Sequence, residues 1–389
     1  MISIGLAGKP NCGKSTFFKA ATMIDVPIAN YPFTTIDANV GVTHVRVPCV
    51  CKEFNLRCGK CIRDSRFIPV RIIDVAGLVP DAHKGRGLGN EFLDNLRQSD
   101  GFIHVIDASG GTDSEGNPVG IGENDPVEDI RFLERELAMW YYGILTRNWK
   151  RVAKRISTER LDVSEALASQ LLGAGVSKEE IKGAMEELDL RENAEQWSDD
   201  DLRELCMRIV KRKPRVIAAN KVDVAPEENI ERLVKEFDAI PTMAEAEMIL
   251  RMASEKGLVD YLPGDDDFEI VGEVTEAQRK ALEKIRELMK KFGGTGVQKC
   301  INRLVLDVLD MIVVYPVEDE NRLSDKEGNV LPDAFLMKRG STARDLAYEI
   351  HSDIGESFLY ALDVRTKRRL GEDYELKDGD VLKIVFVKK

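Results

Sequence analysis

The chain has 389 residues, a formal net charge of −12, 43% hydrophobic residues and 32% charged residues. This balance is typical of a globular protein, and the length predicts two or three domains. The sequence contains no apolar stretch of about 18 residues, so it predicts no membrane-spanning helix. The acidic charge argues against a protein that is basic over its whole surface, although it is compatible with a local basic face.

The first residues predict a strand, a tight turn and a helix. Residues 2–7 are an apolar strand, and residues 16–23 have a helical pattern. The turn between them has the form G-x-x-x-x-G-K-S, the phosphate-binding loop of nucleoside triphosphatases, in which backbone N–H groups bind phosphate. Its lysine would reach the β- and γ-phosphates, and its serine hydroxyl would bind Mg²⁺. The predicted nucleotide ligands are Gly8, Lys9, Pro10, Asn11, Cys12, Gly13, Lys14, Ser15 and Thr16.

Strands that alternate with helices predict the fold class. Further β-branched or apolar runs occur at residues 38–47, 67–73, 101–107 and 214–220. This alternation predicts an α/β fold with a mostly parallel sheet and helices on both faces. Because the first strand leads directly into the loop, no room is left for a signal peptide, and we expect a cytoplasmic protein.

The alternation stops near residue 125 and divides the chain into domains. Asp125–Glu128 has the form of a capping box with proline at the first helical position, and Ser177 and Ser198 open further helices in the same way. The last part of the chain has two strands, a helix, and then two or more strands. The predicted domains are a nucleotide-binding domain of residues 1–124 and 214–309, a helical insertion of residues 125–213, and a C-terminal α+β module of residues 310–389.

Two later segments would complete the phosphate and Mg²⁺ end of the site. Asp74 and Gly77 form D-x-x-G at the end of a strand. Asp74 would hold Mg²⁺ through water, and the Gly77 N–H could bind the γ-phosphate, a contact that hydrolysis removes. Thr34 and Thr35 lie in a polar segment from which a hydroxyl would complete the Mg²⁺ shell.

The base end of the site would be formed by N-K-x-D at Asn220, Lys221 and Asp223. A buried aspartate carboxylate accepts hydrogen bonds from guanine N1–H and the 2-amino group, whereas adenine offers neither donor. Sites of this kind reject the wrong partner by roughly 10⁴–10⁵. The segment therefore predicts GTP rather than ATP. Met243, Ala244 and Glu245 stand where a backbone N–H would meet guanine O6.

Three longer segments carry a family resemblance. GKPNCGKST, NYPFTTIDANVG and DVAGLVPDAHKGRGLGNEFLDNLR resemble the Obg-related GTPases, and within them the YchF branch. The helical insertion and the C-terminal module, which looks like a TGS domain with a ubiquitin-like β-grasp fold, extend the resemblance over essentially the whole chain. By position, Ser15 and Thr35 resemble the Mg²⁺ ligands of the family. Many YchF members have lost N-K-x-D and are linked to ATP, whereas this chain keeps the motif, as archaeal-type members do; Met243 replaces a more typical serine.

The resemblance also bears on catalysis, for which we expect Lys14, Thr35 and Gly77 to act on the γ-phosphate. Leu78 stands where a glutamine orients the attacking water in Ras-type enzymes, so the resemblance implies a slow enzyme that another factor stimulates. Asn11 resembles the asparagine that binds K⁺ in potassium-activated relatives, and the alternative is that it only shapes the loop.

Of two histidines near the predicted motifs in the sequence, one is a candidate for catalysis. His83 could position water or lie as a solvated loop residue, whereas His104, in an apolar strand, is predicted to belong to the core.

Four of the seven cysteines are clustered between two predicted strands. Cys49, Cys51, Cys58 and Cys61 have the spacing C-x-C-x₆-C-x₂-C. In a reducing compartment this spacing favours a tetrahedral structural Zn²⁺ site, and free thiols that are partly redox-active are the alternative. The remaining cysteines are isolated and are predicted to be free thiols.

Two short basic stretches bear on the choice of partner. Lys338-Arg339 and Lys367–Arg369 could form a basic face for RNA, or they could be scattered surface charges. The resemblance favours ribosomes or RNA, because relatives with a TGS domain are associated with both. The insertion is either a partner-docking arm or a self-packed bundle. We expect a monomer without sequence-specific DNA recognition or a membrane partner.

These observations predict a GTP-hydrolysing switch associated with the ribosome. The cofactors would be GTP or GDP and Mg²⁺, with K⁺ and a structural Zn²⁺ as further candidates. The alternatives are a YchF-like ATPase and a nucleotide-dependent RNA-binding module without catalysis.

Overall fold

The computed structural model describes residues 1–23, 39–75, 77, 95, 97–190 and 193–387. Within these residues the strands are β1 (Ser3–Ala7), β2 (Val40–Pro48), β3 (Cys61–Ile62), β4 (Ser65–Asp74), β5 (Gly101–Asp107), β6 (Arg215–Asn220), β7 (Ile240–Thr242), β8 (Val259–Asp260), β9 (Glu269–Ile270), β10 (Met311–Val317), β11 (Phe335–Lys338), β12 (Phe358–Asp363), β13 (Arg369–Leu370) and β14 (Val381–Phe386). The helices are α1 (Lys14–Thr22), α2 (Pro126–Thr146), α3 (Trp149–Glu159), α4 (Val163–Leu171), α5 (Lys178–Glu187), α6 (Asp199–Arg212), α7 (Glu227–Phe237), α8 (Ala244–Glu255), α9 (Glu276–Phe292), α10 (Val297–Asn302), α11 (Ala343–Ile350) and α12 (Ser352–Glu356).

The main sheet is mostly parallel, as the sequence predicts. Its strand order is β2-β4-β1-β5-β6-β7, with β3 paired to β4. Strands β4, β1, β5, β6 and β7 run parallel to their neighbours in that order, whereas β2 and β3 are antiparallel to β4. Parallel strands place their carboxyl ends at one edge, and the segments after β1, β4 and β6 therefore meet there.

Helices cover both faces of this sheet, which explains why its central strands are apolar on both sides. All residues of β1 and β5 are buried. On one face, Phe17 of α1 and Ile301 of α10 pack in the same cluster as Ile4 and Ile72. On the other face, α2 belongs to a separate core cluster that contains Phe102. Strands that are buried on both faces have continuous apolar sequences instead of an alternating pattern.

The insertion consists of helices α2–α6, which lie between β5 and β6 in the chain. They share one apolar core that includes Leu137, Leu167 and Leu205. The capping boxes at Ser177 and Ser198 are confirmed, because each serine accepts from the third helical N–H and the acidic side chain there bonds back.

The predicted capping box at Asp125 is only half formed. The Asp125 side chain accepts from the Val127 N–H at 2.9 Å, and Pro126 begins the helix as expected. Glu128, however, points to solvent and pairs with Arg131 at 2.8 Å. The aspartate satisfies the helix end on its own, and the glutamate gains an opposite charge one turn along the helix.

The last residues form a second, five-stranded sheet with the order β11-β10-β14-β12-β13. Helix α11 contributes Leu346 to a core cluster with Ile312 and Leu382 of this sheet. We call residues 311–386 the C-terminal domain. The predicted order of two strands, a helix and then two or more strands is confirmed, and the short helix α12 is an addition.

Two further features differ from the sequence expectation. The sequence pattern of residues 296–309 predicts a single helix, whereas the structure has α10 followed by a π-helical turn at residues 303–308. A two-stranded sheet of β8 and β9 precedes α9. Among the residues that the structure describes, no helix combines the length and apolarity needed to cross a bilayer.

Candidate nucleotide-binding site

The loop at residues 8–13 joins β1 to α1 and requires glycine at two positions, because a backbone carbonyl comes very close to one and a side-chain amide very close to the other. A Cβ on Gly8 would lie 2.4 Å from the Val105 carbonyl oxygen, and one on Gly13 would lie 2.2 Å from the Asn220 amide nitrogen. Gly13 also has a φ of 94°, a backbone angle that residues other than glycine rarely adopt. Since Gly13 has no side chain to cap the helix, the first N–H groups of α1 face the loop, where they can bind an anion.

The side chains predicted to bind phosphate and Mg²⁺ lie together at the end of this loop. The Lys14 ammonium group hydrogen-bonds the Asp74 carboxylate, and the Ser15 hydroxyl lies 3.3 Å from the second Asp74 oxygen. Both members of the ion pair are largely buried. A cation, a hydroxyl and a carboxylate in this arrangement fit a phosphate–Mg²⁺ pair: Lys14 would bind phosphate, Ser15 the metal, and Asp74 a metal-bound water.

Gly77 lies beside the same loop. A Cβ on Gly77 would contact the Pro10 ring at 3.2 Å. The other residues expected at this end, Thr34 and Thr35, lie outside the described residues, as do Leu78 and His83.

The predicted base-reading segment is hydrogen-bonded to the phosphate loop. The Asn220 amide nitrogen donates to the Cys12 carbonyl at 3.0 Å, and its oxygen accepts from the Ala244 N–H at 3.1 Å. The Lys221 ammonium group donates to the Asn11 carbonyl at 2.8 Å. These contacts hold both ends of a nucleotide site at a fixed separation.

Lys221 is itself held by Asp107, which ends β5. The Lys221 Nζ and Asp107 Oδ2 atoms are 2.8 Å apart. Burial alone would raise the pKa of Asp107, but hydrogen bonds from Lys221, Ser109 and Thr112 keep it below its ordinary value. The carboxylate therefore stays charged and fixes the lysine stem beside the loop.

Asp223 follows Lys221 and is exposed, so its carboxylate is accessible to a base. In the Met243–Glu245 segment, the Met243 N–H already donates to the Thr295 carbonyl at 2.8 Å. Helix α8 begins at the next residue, and the Ala244 N–H donates to the Asn220 side-chain oxygen at 3.1 Å. The expected backbone donor to guanine is therefore narrowed to the Glu245 N–H, in the first turn of the helix.

Sequence reasoning missed the role of the Lys9 side chain, which points away from the phosphate position. Its ammonium group is buried and bonds Asp129 of α2 at 2.7 Å and the Thr112 carbonyl at 2.8 Å. Burial raises the pKa of Asp129 to about 6. Nothing in the sequence marks this pair, because a lysine in a phosphate loop is most simply a phosphate ligand and its partner is distant in the chain.

The segment between β5 and α2 also contacts the loop through Asn11 and Pro10. The Asn11 amide nitrogen donates to the Gly116 carbonyl at 3.0 Å. A Cβ on Gly116 would lie 2.6 Å from the Pro10 carbonyl oxygen, which shows how closely the two backbones approach. Of the two interpretations of Asn11, this contact favours the one in which it shapes the loop.

The four clustered cysteines lie at the opposite end of β2 and β4. Their sulfur atoms all lie within 4.8 Å of one another, and Cys49–Cys58 and Cys51–Cys61 are each 3.7 Å apart. Four sulfurs placed about 2.3 Å from a tetrahedral Zn²⁺ are separated by about 3.8 Å. The residues therefore fit this metal.

The remaining candidates are core or surface residues. His104 is 2% exposed, so its predicted place in the core is confirmed, and burial lowers its pKa to about 3. Lys338 ends β11 and Arg369 begins β13, which are the two opposite edges of the C-terminal sheet. Arg339 pairs with Asp310 at 2.7 Å. The two basic segments do not meet in one face, and this favours scattered surface charge.

The carboxyl edge of the mostly parallel sheet carries a phosphate loop, an aspartate on the Mg²⁺ side and an N-K-x-D segment. This combination defines a P-loop nucleotide-binding protein of the GTPase class. A β-grasp domain follows it in the chain. Three family models match the chain. They are described as 50S ribosome-binding GTPase over residues 3–134, Obg-like GTPase YGR210-like, G4 motif-containing domain, over residues 218–319, and TGS domain over residues 327–386.

Individual relatives match over the whole length. An uncharacterised GTP-binding protein of Methanocaldococcus jannaschii is 53% identical, and the match covers 100% of both chains. The crystal structure of a GTP-binding protein from Pyrococcus horikoshii is 44% identical, with a TM-score of 0.77 over 99% of this chain and 100% of that one. The ribosome-binding ATPase YchF of Mycoplasma genitalium is 26% identical over 99% of each chain. The chain belongs to the Obg-like, YchF-related family of GTP-binding proteins.

Proposed function

We propose that the protein binds and hydrolyses GTP as a molecular switch that acts on the ribosome. The observation that carries the GTP part is the direct hydrogen bonding of Asn220 and Lys221 to the carbonyls of Cys12 and Asn11. This contact ties the segment that would read guanine to the loop that would hold the phosphates. Asp223, accessible beside them, would accept from guanine N1–H and the 2-amino group.

Hydrolysis would be slow without a partner. Lys14 and Mg²⁺ would neutralise charge on the β- and γ-phosphates, and Thr35 and the Gly77 N–H would contact the γ-phosphate. Leu78 offers no group that could orient water, so a second factor must supply that part of the barrier reduction. Loss of the γ-phosphate would then release the segments that contain Thr35 and Gly77.

The ribosome is proposed as that factor on the strength of the relatives. One matching family model is described as a ribosome-binding GTPase, and the Mycoplasma relative is named a ribosome-binding ATPase. The TGS match in the C-terminal domain supports the same partner class. The basic residues of that domain do not contribute to this argument, since they lie at opposite edges of its sheet.

The ribosome proposal is tested by GTP hydrolysis in K⁺ buffer, with and without large ribosomal subunits from the same source. Stimulation by tenfold or more is expected. A slow rate that subunits leave unchanged would refute the ribosome part while leaving the GTPase intact. Absence of turnover under every condition would favour a binding module without catalysis.

The base preference is tested separately by the affinities for GDP and ADP. We expect GDP to bind at least 10³-fold more tightly, because ADP would leave the Asp223 carboxylate facing an acceptor. Equal affinities would favour the ATPase alternative, in line with the name of the Mycoplasma relative.

We also propose that Cys49, Cys51, Cys58 and Cys61 hold one structural Zn²⁺. The close approach of their four sulfurs supports this proposal. Metal analysis of the purified protein should find about one zinc per chain. Less than about a fifth of that amount would exclude the metal and favour free thiols.

A further inference from the structure

The four cysteines lie on a loop, residues 49–61, that joins β2 to β4; we call it the cysteine loop. Strands β2 and β4 pair in continuous register from Val40 opposite Ile73 to Pro48 opposite Ser65. Eight steps of about 3.4 Å make this ladder about 27 Å long. One end of it reaches Asp74 and the phosphate loop, and the other end carries the cysteine loop.

The cysteine loop packs against the C-terminal domain. Cys49, Cys51 and Cys58 are buried in one apolar cluster with Tyr315 and Leu331. Further members of this cluster from the C-terminal domain are Val313, Val317, Leu323, Val364 and Val381. These residues come from β10, β14 and the segments beside them, so the loop meets a broad face of the domain.

Polar contacts fix the same interface. Arg365 of the C-terminal domain binds Glu53 of the loop through two parallel hydrogen bonds of 2.7 Å each, and its guanidinium group lies 5.3 Å from the Phe54 ring centre. Arg66, at the start of β4, donates to the Pro332 carbonyl at 3.0 Å and approaches the Cys58 sulfur at 3.9 Å. A bidentate arginine–carboxylate ion pair fixes the orientation of the two groups as well as the distance between them.

The cysteine loop has little regular structure with which to maintain this face. It contains a single 3₁₀ turn at residues 50–52 and the two-residue strand β3. A short segment of this kind cannot order itself through backbone hydrogen bonds alone, whereas four bonds to one metal ion would fix all four cysteines at once.

From this arrangement we infer that the cysteine site is a metal staple between domains: Zn²⁺ bound to the four thiolates holds the C-terminal domain against the β2–β4 strand pair. The inference rests on the proposed zinc. It adds that the ion determines the position of a whole domain relative to strands that end at the nucleotide site. A purely local role would leave the C-terminal domain in place when the metal is removed.

The test uses the full chain and hydrogen–deuterium exchange, before and after zinc is removed with a chelator and excess Mg²⁺ is restored. The reporter is residues 318–334, which contain no metal ligand but place Leu323 and Leu331 against the cysteine loop. We expect their exchange to accelerate by tenfold or more when zinc leaves, and to return when zinc is added back. GDP affinity, measured in parallel, should change less than threefold.

A second variant keeps the test valid if the metal-free chain unfolds. Arg365→Ala removes the ion pair to Glu53 without touching a ligand. If zinc holds the domain, this variant should retain zinc and accelerate exchange in residues 318–334 far less than zinc removal does, whereas equal acceleration would assign the interface to the ion pair and overturn the proposal. Arg57→Ala, at an exposed position on the same loop, is the matched control and should change neither property.

The possible failures can be told apart. Zinc bound in full, with faster exchange confined to residues 49–64, would overturn the staple and leave the zinc site standing. A purified protein without zinc would overturn both. Neither result would affect the proposed GTP binding, which the GDP measurement reports independently.

Discussion

The two ends of the β2–β4 strand pair contrast in how they are built. At the nucleotide end, Lys14, Ser15 and Asp74 contact one another around a place where a ligand comes and goes, and Asp223 stands exposed. At the cysteine end, the sulfurs lie within a permanent apolar interface with the C-terminal domain. A site for a transient ligand must remain accessible. Its polar side chains need hydrogen-bond partners within the protein when the ligand is absent. A structural site can be closed on all sides.

This contrast predicts opposite effects of mutation. Changes to the groups at the nucleotide end that face the ligand should alter affinity and leave the stability of the ligand-free protein nearly unchanged. Changes at the cysteine end should alter stability and domain position while leaving affinity nearly unchanged.

The largest expected effect is that of Asp223→Asn. It should weaken GDP binding on the order of 10³-fold, because an amide presents a donor to the guanine 2-amino group. Xanthine has an oxygen at that position, so XDP should bind the variant better than GDP does. Titration calorimetry measures both affinities. The free energy of unfolding without ligand should change by less than about 0.5 kcal/mol.

Glu228→Gln, on an exposed face of α7, is the matched control for this change and should leave both affinities as they are. An Asp223→Asn variant that retained its preference for GDP would show that this carboxylate does not read the base.

Lys9→Met should be an exception to this contrast and destabilise the ligand-free protein. Lys9 belongs to the phosphate loop, but its side chain forms a buried ion pair. Removing one member of a buried ion pair costs about 3–5 kcal/mol, and Asp129 would be left without its cation. The loss should be smaller at pH 5.5 than at pH 8. Burial raises the pKa of Asp129 to about 6, and removing the Lys9 cation would raise it further. At pH 5.5 the variant can hold Asp129 protonated and neutral. This stabilisation by the bound proton is lost as the pH rises to 8, where an unpaired carboxylate would have to stay buried.

Urea unfolding at the two pH values measures the effect of Lys9→Met. Lys19→Met, on the exposed side of α1, is the control and should have little effect. A stable Lys9→Met protein with weakened GDP binding would mean that the Lys9 side chain serves the ligand after all.

His44 lies on β2, between the two ends, and should make the strand pair sensitive to acid. Burial lowers its pKa to about 4, so below its ordinary value of 6.5 the unfolded chain binds a proton that the folded chain does not. Stability contributed by the neutral ring is therefore lost as the pH falls, by about 2 kcal/mol at pH 5. His44→Gln should remove this part of the pH dependence in urea unfolding.

His351→Gln, which removes an exposed histidine, is the matched control. An unaltered profile in His44→Gln would show that other groups dominate the acid response.

The smallest expected effect is that of Asn11→Ala, which removes the hydrogen bond to the Gly116 carbonyl. We expect a loss of about 1 kcal/mol in the free energy of unfolding. If Asn11 only shapes the loop, hydrolysis rates in Na⁺ and K⁺ buffers should be equal in the parent protein. A clear preference for K⁺ that Asn11→Ala abolishes would restore the alternative in which the side chain binds the ion.

Local sequence rules predicted much of the fold because the relevant forces act locally. The continuous apolar runs of β1 and β5 indicated strands buried on both faces, and Ser177 and Ser198 marked helix starts through contacts three residues away. The same rules failed for Glu128, since Asp125 already satisfies the helix end and a nearby arginine competes for the glutamate.

The sequence by itself determined the class of site, because the phosphate loop, D-x-x-G and N-K-x-D each combine fixed spacing with the residue types that phosphate, Mg²⁺ and guanine require. Only the tertiary structure decided which groups those motifs contact. It turned Lys9 toward Asp129, engaged the Met243 N–H with Thr295, and separated the two basic segments to opposite edges of a sheet. It also brought the cysteine loop against a domain some 250 residues further along the chain. Such contacts depend on how distant elements pack, and local patterns in one sequence carry no record of that packing.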